Sequence, residues 1–423
     1  MSDPLFFLIA GEASGDLLGA RLMRALKTKL NGQVRFAGIG GERMQAEGLV
    51  PFFAQSELAH FGVFELLRHI PHILKRIRQT IAEVKRLRPA ALITIDAPDF
   101  SFRVAKKVKG TGIPLIHYVA PTVWAWRPER AKKIAAFLDH LLVLLPFEPP
   151  YFTREGLGCT FVGHPIVEGG ADKGDAGRFG EKYSYVEIPL PLAGGVGVGW
   201  QTEVLGLPSP PPTPPASGRG APLLPPQPTP PLLAVLPGSR RSEIKRLMPI
   251  FAATVARLKS KHPDLRVVLP AAAGFAATLK EQTRNWAVPV LVTEGDQDKY
   301  DALAASCAAL ACSGTVALEL AMARLPAVIA YKINALTYAA FRRLIKVDYV
   351  NLVNLMHNKL VVPELLQADC TAEKLAATLD VLLTDETARQ KQIAGLSAVA
   401  AWLGQGQFVP SERAAETVLK VTQ

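Results

Sequence analysis

The chain is built on a repeated unit: a short, wholly apolar run, a glycine-bearing turn, then an amphipathic stretch. LFFLIA, ALITI, PLIHYV and HLLVLL carry this unit through the first 168 residues and read as buried strands. The stretches between them, 16–30 and 100–109 among them, read as covering helices. Strand and helix repeated in that order imply a parallel sheet with helices on its faces, a doubly wound α/β domain.

The rhythm stops after FVGHPIVE. From 169 to 231 the chain is rich in glycine and proline, with SPPPTPPASGRG and PPQPTPPLL, which accounts for much of its total of 34 prolines and 33 glycines. Such composition holds neither a helix interior nor a central strand, so a disordered insertion or linker with polyproline stretches is expected. The unit then restarts at LLAVLPGSRRSEIKRLMPIF and continues through LRVVLP, VPVLVTEG, AALACSGTVALELAMA and LPAVIAYK. At 423 residues the chain exceeds the size of a single hydrophobic core. Two Rossmann-like α/β domains, 1–168 and 232–370, are therefore expected to face each other across a cleft. The alanine- and leucine-rich tail, 371–423, is expected to pack back on the body as helices.

A formal charge of +11 favours anionic partners: nucleic acid, phosphorylated metabolites or anionic membranes. Nucleic acid has only charge in its favour, since no zinc-finger spacing, basic heptad region or basic strand with interleaved aromatics is present. The four cysteines form no CxxC pair and fit a reducing cytoplasm. MSDPLFFLIAGEASGD has no basic leader and too short an apolar run for a membrane span, so any membrane contact is expected to be peripheral.

Chemistry-bearing residues gather where strands end. Glu12, Ser14, Gly15 and Asp16 follow the first strand and open a helix, where backbone N–H groups favour an anion or polar substrate; a tight turn capped by Ser14 or Asp16 is the plainer reading. Asp96 directly follows ALITI, at the carboxyl edge where open α/β sheets bind ligands, and can accept a proton from an alcohol. Asp99, with Ser101 as competitor, is assigned to capping the next helix. His117, Trp124, Trp126 and Arg127 cluster in HYVAPTVWAWRPERAKKI, open to burial or to phosphate contact. In LPGSRRSEI, Gly238 and Ser239 form a tight turn and Arg240 offers a bidentate fork to phosphate. In CSGTVALELA, Ser313, Gly314 and Thr315 start a helix that carries Glu319, an acid able to hydrogen-bond ribose hydroxyls or simply to sit on a helix surface. Residues 61–88 alternate apolar and basic positions, and Pro71 is expected to split them into two helices that either cover the sheet or lie on an anionic membrane.

With these segments in hand the chain resembles the lipid-A-disaccharide synthases, through AGEASGD, GGERMQAEG, IDAPDF, HYVAPTVWAWRPERAKKI, LPFEPPYF, FVGHP, LPGSRRSEI, SGTVALE and DYVNLVNL. The resemblance implies a GT-B fold and an inverting transferase that needs neither metal nor cofactor. It implies transfer of a sugar from UDP-2,3-diacylglucosamine to the 6-hydroxyl of 2,3-diacylglucosamine 1-phosphate at the inner face of the cytoplasmic membrane. On this resemblance Asp96 matches the general base. Gly238, Ser239, Arg240, Ser313, Gly314, Thr315 and Glu319 match the nucleotide site, Glu12 and Asn354 match polar positions near the cleft, and a homodimer forms through the C-terminal part. The proline-rich insertion departs from the family, which has a shorter connection there. A UDP-sugar epimerase of similar fold and a non-enzymatic membrane binder are the alternatives, the first needing no acceptor.

Overall fold

The computed structural model describes residues 3–59, 66–126, 128–183, 231–334 and 347–423. Residues 184–230, with most of the proline-rich stretch, lie outside them, as do Arg127, residues 60–65 and the side chains of 59–70 and Trp126.

Seven parallel strands form the first sheet: β1 (Leu5–Ala10), β2 (Arg35–Ile39), β3 (Leu49–Pro51), β4 (Ala91–Ile95), β5 (Leu115–Tyr118), β6 (His140–Val143) and β7 (Gly158–Phe161), ordered β3-β2-β1-β4-β5-β6-β7. Their register pairs Ile9 with Ile39 on one side and with Thr94 on the other. Side chains alternate between two covered faces. Phe7 and Ile9 meet the helices Leu66–Leu87 and Pro98–Val108 through Ile77, Val84, Phe100 and Val104. Phe6 and Leu8 meet Ala13–Lys29 through Leu22, Met23 and Leu26. Leu8 is fully buried, and truncating it to alanine would cost about 2–5 kcal/mol.

The second sheet is also wholly parallel: β8 (Leu232–Leu236), β9 (Arg266–Ala271), β10 (Val290–Glu294), β11 (Ala308–Cys312), β12 (Ala327–Tyr331) and β13 (Glu364–Leu366), ordered β10-β9-β8-β11-β12-β13. Leu233 and Val235 pack under the helices Arg241–Lys261 and Ala372–Thr384. Ala234 and Leu236 face a cluster that includes Leu318, Leu396 and Val399.

Two local expectations differ from what forms. Residues 66–87 are one helix with Pro71 inside it, because the missing N–H removes a single hydrogen bond in the second turn while Ile77 and Val84 bury the face beyond it. Residues 169–183, expected to begin the insertion, hold a 3-10 turn (Ala171–Lys173) and the helix Ala176–Tyr183. Phe179 is buried in the second domain's core, and Arg178 donates two hydrogen bonds of 2.6 Å to Asp301. The tail divides: Ala372–Thr384 and Glu386–Trp402 stay on the second domain, while Pro410–Val421 returns to the first and buries Ala414, Ala415 and Val418 there.

Candidate active site

Both sheets have one place where strand order reverses. In the first it lies between β1 and β4, and in the second between β8 and β11. Loops leaving the carboxyl ends of such strands diverge to opposite faces and open a crevice between them. The four loops are those of Glu12, Asp96, Arg240 and the Ser313–Gly314–Thr315 turn, so topology brings the singled-out residues into two groups, one per domain.

In the first domain Asp96 and Ala97 take left-handed backbone angles, φ +53° and +45°. Two consecutive non-glycine residues there cost about 1–2 kcal/mol each, and the surroundings hold them. The Asp96 amide donates to Tyr118 O at 3.0 Å, Ser101 Oγ donates to Asp96 O at 3.1 Å, and Asp96 Oδ1 accepts from the Ala97 amide at 2.9 Å. Asp96 Oδ2 receives no hydrogen bond from a described residue. Gly11 lets the Glu12 turn lie against this loop, since a Cβ at Gly11 would stand 2.8 Å from Ala97 Cβ. Glu12 and Ser14 are exposed beside it.

The capping expectations are corrected. Ala97 is the N-cap of Pro98–Val108, and Asp99 falls within its first turn, exposed. Ser101 donates backward to Asp96 O instead of capping. Glu12 holds the N-cap position of Ala13–Lys29, so neither Ser14 nor Asp16 caps that helix. Asp16 is buried, and its carboxylate accepts from Gly41 N at 2.8 Å and from Arg43 N and Met44 N at 3.1 Å, tying the second βα turn to the first. Gly15 is buried against the Ile95 carbonyl.

In the second domain the crevice is a cavity of about 710 Å³ lined by the loops after β8, β9, β10 and β11. Gly238 has φ +114°, and a Cβ there would lie 2.5 Å from Glu243 Oε2. The glycine lets Glu243 turn back and accept from Ser239 N at 3.1 Å and Arg240 N at 3.2 Å. The Arg240 guanidinium is 77% exposed and pairs with Glu243 at 3.0 Å, so an incoming phosphate would share it with one carboxylate. Opposite, Ser313, Gly314 and Thr315 line the cavity; Thr315 is the N-cap residue of Val316–Met322 without a side-chain cap bond. Glu319 lines it too, and Lys299 donates to Glu319 Oε1 at 2.7 Å.

Other singled-out residues have structural surroundings. Asn354 is fully buried; its Oδ1 accepts from Val361 N and Val362 N, and its Nδ2 donates to Val362 O. It braces the segment before β13. His117 is a core residue: it bonds Thr94 Oγ1 at 2.7 Å and meets the Phe102 ring edge, and burial lowers its pKa to about 3, so it stays neutral.

Two residues escaped the sequence reading. Glu148, in LPFEPPYF, is buried and accepts from Trp124 Nε1 at 3.2 Å, Leu144 N at 3.2 Å and Leu145 N at 2.9 Å. Burial raises its carboxyl to about 7 against the pull of these three donors. An acid three residues after the apolar run ending at Leu145 is the signal that could have found it. Lys299 lies in DQDKYDALAA among three aspartates, where nothing sets it apart from a helix surface.

The domains meet on the site's side. Trp124, Leu144 and Phe147, from the loops after β5 and β6, pack against the second domain's core cluster. Among the described residues no helix is long and apolar enough to cross a membrane.

A family model described as lipid-A-disaccharide synthetase matches residues 6–182 and 222–418. The chain is 52% identical to the lipid-A-disaccharide synthase of Rhodospirillum centenum, over 100% of this chain and 95% of that one. Among solved structures it is similar to Acinetobacter baumannii MurG, with a TM-score of 0.55 at 11% identity over 98% of this chain and 99% of that one. It is similar to the UDP-GlcNAc 2-epimerase of Neisseria meningitidis bound to UDP-GlcNAc, with a TM-score of 0.56 at 10% identity over 98% and 99% of the two chains. These structural likenesses concern the fold, which is GT-B in type.

Proposed function

The chain belongs to the lipid-A-disaccharide synthetase family, and from that premise we propose how its two crevices divide the work of a glycosyltransferase. The activity is synthesis of the lipid A disaccharide from a UDP-sugar donor and a glucosamine-phosphate acceptor. UDP-2,3-diacylglucosamine is the donor, 2,3-diacylglucosamine 1-phosphate the acceptor, and a β-1,6 disaccharide and UDP are the products. The likeness to an epimerase concerns fold alone, and the family decides for transfer.

The observation that carries the reading is the pair of reversal points, with Asp96 on a strained turn at one and a polar cavity at the other. The cavity takes UDP: Arg240 and the turn of Ser313, Gly314 and Thr315 face the phosphates, and Glu319 accepts from ribose hydroxyls. Asp96 accepts the proton of the acceptor's 6-hydroxyl as that oxygen attacks the anomeric carbon from the side opposite the departing UDP, which inverts the configuration. Charge developing on UDP meets Arg240, a contact that strengthens as the bond breaks. Glu12 and Ser14, exposed beside Asp96, border the acceptor side. Asp16, Gly15 and Asn354 act by holding the loops in place.

Asp96→Asn keeps the shape and loses the base, so turnover should fall by about 10²- to 10⁴-fold with UDP affinity and melting temperature nearly unchanged. Asp99→Asn should be much milder, since Asp99 is exposed on its helix. Loss of transfer in Asp99→Asn with Asp96→Asn still active would show that the wrong carboxylate is assigned.

Membrane attachment is peripheral in this reading and at the inner face of the cytoplasmic membrane, supported by the charge of +11 and by Arg78, Lys85, Arg103, Lys106 and Lys107 around an apolar groove. A high-salt wash should release the protein from membranes; retention would point to apolar insertion. A homodimer through the C-terminal part is supported by exposed Leu360, Val381, Trp402 and Val409. A monomeric mass in solution would remove it.

A further inference from the structure

Lys299 is a cation inside the donor cavity whose role the reaction outlined above leaves open. It stands in the helix Asp296–Ala305, near the carboxyl end of β10, and reaches across to Glu319 on the helix after β11. Its side chain is 21% exposed and that of Glu319 is 18% exposed. The ammonium also lies 4.8 Å from the Tyr300 ring centre and 3.7 Å from Asp296. In a pair this far from solvent the attraction is largely offset by the cost of desolvating both charges, so it is weak evidence of a need of the fold. Glu319 has a clearer need of it. It occupies a half-buried wall, and no described residue donates a hydrogen bond to its second oxygen, Oε2. A carboxylate that accepts from vicinal hydroxyls must be held in one rotamer, and an ammonium on one oxygen secures this while leaving the other for a ligand.

We propose that Lys299 is a positioning residue for ribose recognition, holding the Glu319 carboxylate oriented toward the ribose hydroxyls of the UDP-sugar. The proposal rests on the reading of Glu319 as the ribose acceptor. Lys299 stays charged to do this: burial pulls its pKa down, but Glu319, Tyr300 and Asp296 together outweigh burial and leave it raised. The helix that carries Lys299 is itself fixed from behind, where Arg178 pairs with Asp301, and Lys182 and Tyr183 both donate to Asp298. The ammonium therefore works from an anchored base.

The test compares UDP with 2′,3′-dideoxy-UDP, which lacks both ribose hydroxyls, by calorimetry on the full chain. The native protein should prefer UDP by about tenfold or more, as expected for hydrogen bonds to a charged acceptor. Lys299→Met should weaken UDP by about tenfold while changing dideoxy-UDP by less than about threefold, which also checks that the cavity is folded. Lys299→Arg should recover most of the preference. In turnover, donor KM should rise in Lys299→Met with kcat little changed, because the ribose contact is the same in ground and transition states. An equal loss of both nucleotides would make Lys299 a phosphate contact and overturn the proposal. So would a preference that survives Lys299→Met but disappears in Glu319→Ala. A native protein that does not distinguish the two nucleotides would overturn the Glu319 reading and the proposal with it.

Discussion

Glu148 carries a measurable consequence of its burial. Its carboxyl is raised from 4.5 to about 7, so between those values the unfolded chain has released a proton that the native protein keeps. Stability therefore falls as pH rises through this window, by about 3 kcal/mol in all, and the loss is complete above the folded value. Denaturant titrations from pH 5 to 8 should show this slope in the native protein and a flatter one in Glu148→Gln. The same slope in both would assign the pH dependence to another group. The place of some residues was legible in the sequence and that of others was not, for a physical reason. Asp96 directly follows β4 and Arg240 stands four residues beyond the end of β8, so position along the chain fixes their place at the sheet edge. Asp16 was singled out by its polar turn and Asn354 by the family resemblance, but the contacts they make with the backbone of other loops cannot be read along the chain. Lys299 gains meaning only when β10 and β11 place its helix beside Glu319.

At the scale of elements, long apolar runs identified the central strands, while β3 and β13 at the sheet edges, three residues each, carry too little pattern to stand out. The passage from first to second domain was hidden by its glycines. It is held by Arg21, which donates to Pro165 O at 2.8 Å and Glu168 O at 3.1 Å. It is held also by Glu168, whose carboxylate accepts from Ser411 Oγ at 2.6 Å and Ser411 N at 3.2 Å where the tail returns. His164 N donates to Leu403 O at 3.1 Å, so the outgoing and returning chains are bonded to each other where they cross. Arg21→Met removes two charge-assisted bonds and should lower stability by about 1–3 kcal/mol and reduce turnover, with UDP affinity preserved because the cavity lies wholly in the second domain. Thermal melts and calorimetry read this directly. Unchanged melting and turnover would show that the crossing is held without Arg21.

At the scale of the molecule, two parallel sheets with reversal points, joined among the described residues by two chain crossings, place a polar cavity in one domain and an acid in the other. That arrangement can serve transfer between two substrates or rearrangement of one, and the difference is chemical: a transferase releases UDP only when an acceptor hydroxyl is present to be deprotonated. The deciding measurement incubates the protein with UDP-2,3-diacylglucosamine, with and without 2,3-diacylglucosamine 1-phosphate, and follows UDP and disaccharide together. UDP and a β-1,6 disaccharide should appear in equal amounts and only with the acceptor, and Asp96→Asn should abolish nearly all of both. Conversion of the donor to another UDP-sugar without acceptor, with no disaccharide when it is added, would contradict the account.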